Sequence, residues 1–124
     1  MPPASKPERR PAYRLSIRID LADGVRIGPG KIALLEEIGR SGSISAAGRA
    51  MKMSYRRAWE LVEDLNRNLG EPVVEASAGG PRGGGTRLTP GGERLVRQYR
   101  AMERAATATA QGYLDALGPL APPD

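Results

Sequence analysis

SGSISAAGRAMKMSYRRAWELVEDLNRNLGEPVVEASAGGPRGGGTRLT, residues 41–89, decides how this chain folds. Ser43 stands where a hydroxyl can accept from a free N–H of a first helical turn, so it caps a short helix over Ile44–Met51. Ile44, Ala47, Ala50 and Met51 form the inward stripe of that helix, and Ser45, Arg49 and Lys52 its polar side. Ser54 caps the next helix, Tyr55–Leu69, with Gly70 as its stop. Only Lys52-Met53 separates the two helices, which forces an angular pair rather than a long hairpin. On the longer helix Leu61, Leu65, Ala58, Leu69, Val62, Tyr55, Asn66 and Trp59 fall on the core side, with Trp59 read as a packing residue. Glu63, Arg56, Arg67, Glu60, Asp64, Arg57 and Asn68 fall on the other. Val74, Ala76, Thr86 and Leu88 then alternate on two short strands around a glycine-rich tip, which predicts a β-hairpin.

Working outward, Tyr13, Leu15, Ile17, Ile19 and Leu21 alternate with polar residues, the period of a half-buried strand over Tyr13–Leu21. Asp23-Gly24 marks a turn. A helix is expected from Pro29 or Gly30 to Gly39 or Arg40, with Ile32, Leu34, Leu35 and Ile38 in one stripe and no chemistry assigned to it. Thr89-Pro90 opens a last helix running to about Leu117. Its apolar positions Leu95, Tyr99, Met102, Ala106, Tyr113 and Leu117 recur at spacings of three and four, or a small multiple of them. That seam either packs on its own domain or pairs with a second copy, and the length of the helix favours the second copy. The expected organisation is a basic tail over 1–12, a head over 13–89, a dimerisation helix over 90–117 and a frayed end over 118–124. The architecture is mainly α with a small β-sheet, a winged helix-turn-helix with a long C-terminal helix.

The 124 residues carry a formal charge of +5, with no Cys and no His. Disulfides, thiolate nucleophiles, Cys/His zinc sites and histidine acid–base chemistry are thereby excluded. No nucleophile has a base to activate it, so the chain is read as no enzyme, and no cofactor is called for. With one Trp, four Tyr and no Phe, the core must be aliphatic, and a small core of that kind gains from oligomerising. No apolar run approaches the roughly 18 residues of a membrane span, and the N-terminus has no apolar signal core, so a cytoplasmic location is expected, with no membrane partner. Residues 79–86, GGPRGGGT, approach a phosphate-binding loop, but Gly85 stands where that loop needs lysine, and a strand follows rather than a helix.

A basic balance favours a polyanionic partner, and double-stranded DNA fits the placement of the charges. Ser54, Tyr55, Arg56 and Arg57 open the second helix of the angular pair, the part that enters a major groove. The two arginines can grip phosphate or bond guanine O6 and N7, and Glu60 can accept from cytosine N4 or orient Arg56. Ser43, Ser45, Arg49 and Lys52 on the preceding helix and turn lie nearby. Arg82 at the hairpin tip and Arg87 lower down add charge for the backbone. The bland alternative is a solvated helix face with Arg56–Glu60 and Glu63–Arg67 pairs. Acid would suit the start of a helix better than arginine, which argues for the DNA reading.

GPGKIALLEEIGRSGSISAAGRAMKMSYRRAWELVEDLN, the GGPRGGG tip and LTPGGERL together resemble the N-terminal DNA-binding domain of ModE-type molybdate-responsive transcriptional regulators, and more distantly LysR-type winged helix-turn-helix domains. The resemblance covers roughly residues 14–117. It implies a homodimer joined through long helices on an inverted-repeat operator, with DNA touched by Ser54, Tyr55, Arg56, Arg57 and Arg82. It also implies that the strand over Tyr13–Leu21 joins the sheet of the wing, within a subunit or across the dimer. ModE-type regulators carry a C-terminal molybdate-binding region, which these 124 residues lack. The effector is therefore expected to be sensed by a separate molybdate-sensing protein, or not at all. The leading expectation is a sequence-specific transcriptional regulator with helix 54–69 in the major groove and wing 77–86 on the backbone. The alternatives are a protein-interaction module for an acidic partner and a nonspecific architectural DNA-binding protein.

Overall fold

The computed structural model describes residues 14–22, 24–77 and 85–118. Eight elements follow in order: β1 (Ile19–Asp20), β2 (Arg26–Ile27), α1 (Pro29–Ser41), α2 (Ile44–Ala50), α3 (Tyr55–Asn68), β3 (Val74–Ser77), β4 (Gly85–Leu88) and α4 (Pro90–Asp115). The three caps read from sequence form. Ser43 Oγ accepts from Ala46 N–H, Ser54 Oγ from Arg57 N–H and Thr89 Oγ1 from Gly92 N–H.

The core is aliphatic apart from one tyrosine. Ile32, Leu34, Leu35 and Ile38 of α1 are fully buried, and Ala47, Ala58, Val62, Leu65, Val73 and Val74 close around them. Gly48 lets α2 and α3 cross closely, since a Cβ there would stand 3.3 Å from that of Ala58 and 3.4 Å from the Met53 carbonyl. Gly39 does the same for α1 against the wing, where a Cβ would meet Leu88 at 3.2 Å.

Several expectations need correcting. The first strand shrinks to Ile19–Asp20 and pairs antiparallel with Arg26–Ile27 around Gly24, whose φ is 86°. It does not join the wing within this chain, since β1–β2 and β3–β4 form two separate sheets. Residues 14–18 form no strand, and the Ile17 carbonyl instead accepts from the Tyr99 hydroxyl of α4 at 2.6 Å. Tyr13 lies outside the described residues. In α2 the small Gly48 is buried and Ala50 exposed. Tyr55 and Trp59, assigned to the core side of α3, are 56% and 44% exposed. α3 ends because Leu69 turns extended, without a left-handed Gly70. The expected Glu63–Arg67 pair is replaced by Asp64–Arg67 at 3.7 Å.

Helix α4 divides along its length. Its start is locked to the head: Thr89 donates to the Pro72 carbonyl at 2.6 Å, and Gly92 packs on the Val73 carbonyl with no space for a side chain. Tyr99 is buried, and burial, then Glu103, raises its phenol above the usual value of 10.0. Arg100 forks onto Glu36 of α1 at 2.7 and 3.1 Å and reaches Glu103 at 2.8 Å. Those charge-assisted bonds, Glu36 first, hold its guanidinium above the ordinary range. Farther along, Met102, Tyr113 and Leu117 are exposed. Of the expected seam, Tyr99 is thus consumed within the chain, Leu95 and Ala106 are half-buried, and the remaining three lack cover.

Candidate nucleic-acid interface

The turn between α2 and α3 is built by backbone. Met53 N–H donates to the Gly48 carbonyl at 2.9 Å and Lys52 N–H to that of Arg49 at 3.0 Å. Lys52 takes the left-handed conformation, φ 58°, and its side chain projects into solvent. Ser54 then starts α3 with its hydroxyl accepting from Arg57 N–H, so its own proton stays available to a ligand. Among the described hydrogen bonds the N–H groups of Tyr55 and Arg56 have no partner, as the first turn of a helix dictates.

The expected site residues come together on one side of the molecule in part. Arg56 Nε bonds Glu60 Oε1 at 3.1 Å, so Glu60 orients that guanidinium one turn away. Arg49 donates to the Ser45 hydroxyl at 2.9 Å along α2. Ser43 is spent on its cap, accepting from Ala46 N–H at 3.0 Å, and its own N–H donates to Ser41 Oγ. Arg87 is held across the wing by Glu75 at 2.9 Å, its register partner. Arg57 is exposed and forms no ion pair among the described residues. Arg82 lies outside the described residues. The Arg56–Glu60 and Arg87–Glu75 pairs are exposed and weak, so a polyanion can displace them at small cost.

Two features escaped the sequence reading. Lys31, at the start of α1, has its ammonium lowered from 10.5 by partial burial, against which Asp64 acts and to which Arg57 and Arg26 add. Lys31 thus stands near Arg57 and Arg26 as well as Asp64, and Arg26 lies 3.9 Å from Asp20. The signal was the cation on each side of Gly28-Pro29-Gly30, set aside because α1 looked like packing alone. The second feature is exposed Trp59. No cluster of three or more His, Cys, Asp or Glu that could hold a metal ion occurs among the described residues.

The profile of the bacterial regulatory helix-turn-helix proteins of the lysR family matches residues 30–93, from the start of α1 to the start of α4. The chain belongs to this family. This LysR-type protein is 51% identical over 80 residues to the molybdenum-pterin-binding protein MopB of Rhodobacter capsulatus, covering 64% of this chain and 30% of that one. It is 42% identical over 90 residues to the molybdenum transport protein ModE of Azotobacter vinelandii, covering 73% and 33%. To the DNA-binding transcriptional dual regulator ModE of Escherichia coli K12 it is 39% identical over 71 residues, 57% and 27%. The chain spans about a third of the length of these curated relatives. A solved MarR-family transcription regulator shares the fold, at TM-score 0.54 and 22% identity over 76% of this chain and 66% of that one. The expected likeness to ModE-type and LysR-type helix-turn-helix domains holds. No described helix is long and apolar enough to cross a membrane.

Proposed function

We propose that this LysR-type protein binds an inverted-repeat operator as a homodimer, with α3 in the major groove and the wing, residues 77–86, on the sugar-phosphate backbone. The observation that carries this reading is the start of α3. Two exposed arginines, a capping serine with its proton free and two unpartnered backbone N–H groups meet there, and Lys52 and Arg49 stand beside them. Arg57 and the free N–H groups suit phosphate, whereas Arg56, aimed by Glu60, suits a base edge. Arg26 and Lys31 add backbone contacts on the far side from the wing. The head comprises residues 13–89, with 1–12 as a basic tail, and 90–117 the pairing helix, whose Met102, Tyr113 and Leu117 wait for a second copy. The location is cytoplasmic. The names of the relatives motivate molybdate as effector, sensed through this protein or a separate one.

Selection of bound sequences from a random duplex pool, with and without molybdate, tests the proposal. Palindromic winners whose enrichment changes with molybdate are expected. Tight binding with no preferred sequence would make the protein architectural instead. Weak binding to every duplex would leave the basic face to an acidic protein partner. Arg57→Ala should weaken the selected duplex at least tenfold, about 1.4 kcal/mol. If neither Arg56→Ala nor Arg57→Ala changes affinity, α3 is not the reading helix.

A further inference from the structure

Trp59 is the single tryptophan of the chain and stands 44% exposed in the first half of α3. A large apolar side chain so placed forfeits much of the gain from burial, which makes an exposed indole informative where an exposed leucine is not. Among the described residues the exposed large apolar side chains fall into two groups. Met102, Tyr113 and Leu117 lie on α4, and Tyr55 and Trp59, one turn apart, lie at the start of α3. Helix pairing accounts for the first group and leaves the second unexplained. No hydrogen bond or cation–π contact engages the indole among the described residues.

The surroundings of Trp59 select its partner. Arg56 precedes it by three residues, about 60° away around the helix, and Glu63 follows by four. Arg57 lies about 160° away with Arg56 between the two, so a groove that receives both arginines receives Trp59 on its other flank, against base edges rather than an apolar protein surface. In a major groove the one apolar group on the base edges is the thymine C5-methyl. We propose that Trp59 is a base-reading residue whose indole packs against thymine C5-methyl groups when α3 occupies the major groove, selecting A·T pairs beside those reached by Arg56. The proposal rests on the DNA-reading role of α3 given above and assigns that helix a second, apolar mode of readout.

The experiment uses the full chain and the duplex selected from the random pool, with each thymine replaced in turn by deoxyuridine. That exchange removes the methyl and keeps every hydrogen-bonding group. The wild-type protein should lose three- to tenfold in affinity at one or two thymines. Trp59→Ala should bind the unmodified duplex about tenfold more weakly and should ignore deoxyuridine at those positions. Its salt dependence should match the wild type, because an indole neutralises no phosphate. The emission of the lone tryptophan should change on binding. Trp59→Phe, which keeps an apolar face, should retain part of the methyl response, and it replaces the alanine variant if that fails to fold. An equal deoxyuridine response in wild type and variant overturns the proposal. So does unchanged affinity of Trp59→Ala while Arg57→Ala is impaired, a result that leaves the role of α3 intact. If the wild type selects no duplex, both fall.

Discussion

Replacing Asn66 by alanine should show that the wing is set by one amide. Its Oδ1 accepts from Val73 N–H at 2.8 Å and Val74 N–H at 3.2 Å, and its Nδ2 donates to the Val74 carbonyl at 3.0 Å. Val73 and Val74 are 2% and 5% exposed, so the freed backbone groups meet little water. Three hydrogen bonds at about 1 kcal/mol each give about 3 kcal/mol. Alanine returns roughly 0.5 kcal/mol of helix propensity, and partial hydration near the half-buried amide lowers the figure further. The expected loss is about 2 kcal/mol, read as a lower urea midpoint at unchanged slope. Asn68→Ala is the internal control. Asn68 donates only to the Asp64 carbonyl of its own helix, on the exposed side, so its removal should change stability by less than about 0.5 kcal/mol. Were Asn66→Ala to cost no more than Asn68→Ala, the amide would not be what holds β3 against α3.

Three further outcomes follow from the geometry. Gly92→Ala drives a methyl into the Val73 carbonyl and should cost about 1–3 kcal/mol in thermal or urea unfolding, whereas Gly112→Ala, on the same helix in open space, should gain up to about 1 kcal/mol. Tyr99 has its phenol raised by burial, so its contribution is fully present below the ordinary value of 10.0 and is lost as pH rises through the higher folded value. Tyr99→Phe should cost about 1 kcal/mol at neutral pH, by losing the bond to Ile17, and should flatten that alkaline decline. Under the proposed DNA reading, Arg26→Gln and Lys31→Gln should each weaken all duplexes alike and lower the salt slope by about 1, measured by titration at several salt concentrations.

How far the chain could be read before its structure depended on whether a feature is local. The stripe Ile32–Ile38 and the caps Ser43, Ser54 and Thr89 were legible because periodicity and first-turn chemistry lie within a few residues. The strand over Tyr13–Leu21 was misjudged because alternation reports which face is half-buried and not what pairs with it. Its carbonyl partner, Tyr99, stands 82 residues away. Tyr55 and Trp59 misled the helical wheel, which counts an aromatic as core whenever it falls near the apolar arc. The left-handed Lys52 had no signature, because lysine does not favour positive φ and the close crossing at Gly48 imposes the turn.

The distribution of ion pairs bears on which contacts would carry affinity and which specificity. Arg56, Arg67 and Arg87 each hold a carboxylate in the free protein, so a phosphate must displace a partner already in place. Arg57 holds none among the described ion pairs, Arg26 has only the long contact to Asp20 at 3.9 Å, and Lys31 feels Asp64 as well as the two arginines. A phosphate entering beside Arg57 displaces no carboxylate from that side chain, so under the proposed reading this flank supplies affinity and salt dependence. Glu60 biases Arg56 toward one orientation, which lowers the entropy lost when it bonds a base, so under the proposed reading it supplies discrimination. The two neighbouring arginines are therefore unequal. Arg57→Ala should weaken specific and nonspecific duplexes together, and Arg56→Ala should compress the ratio between them.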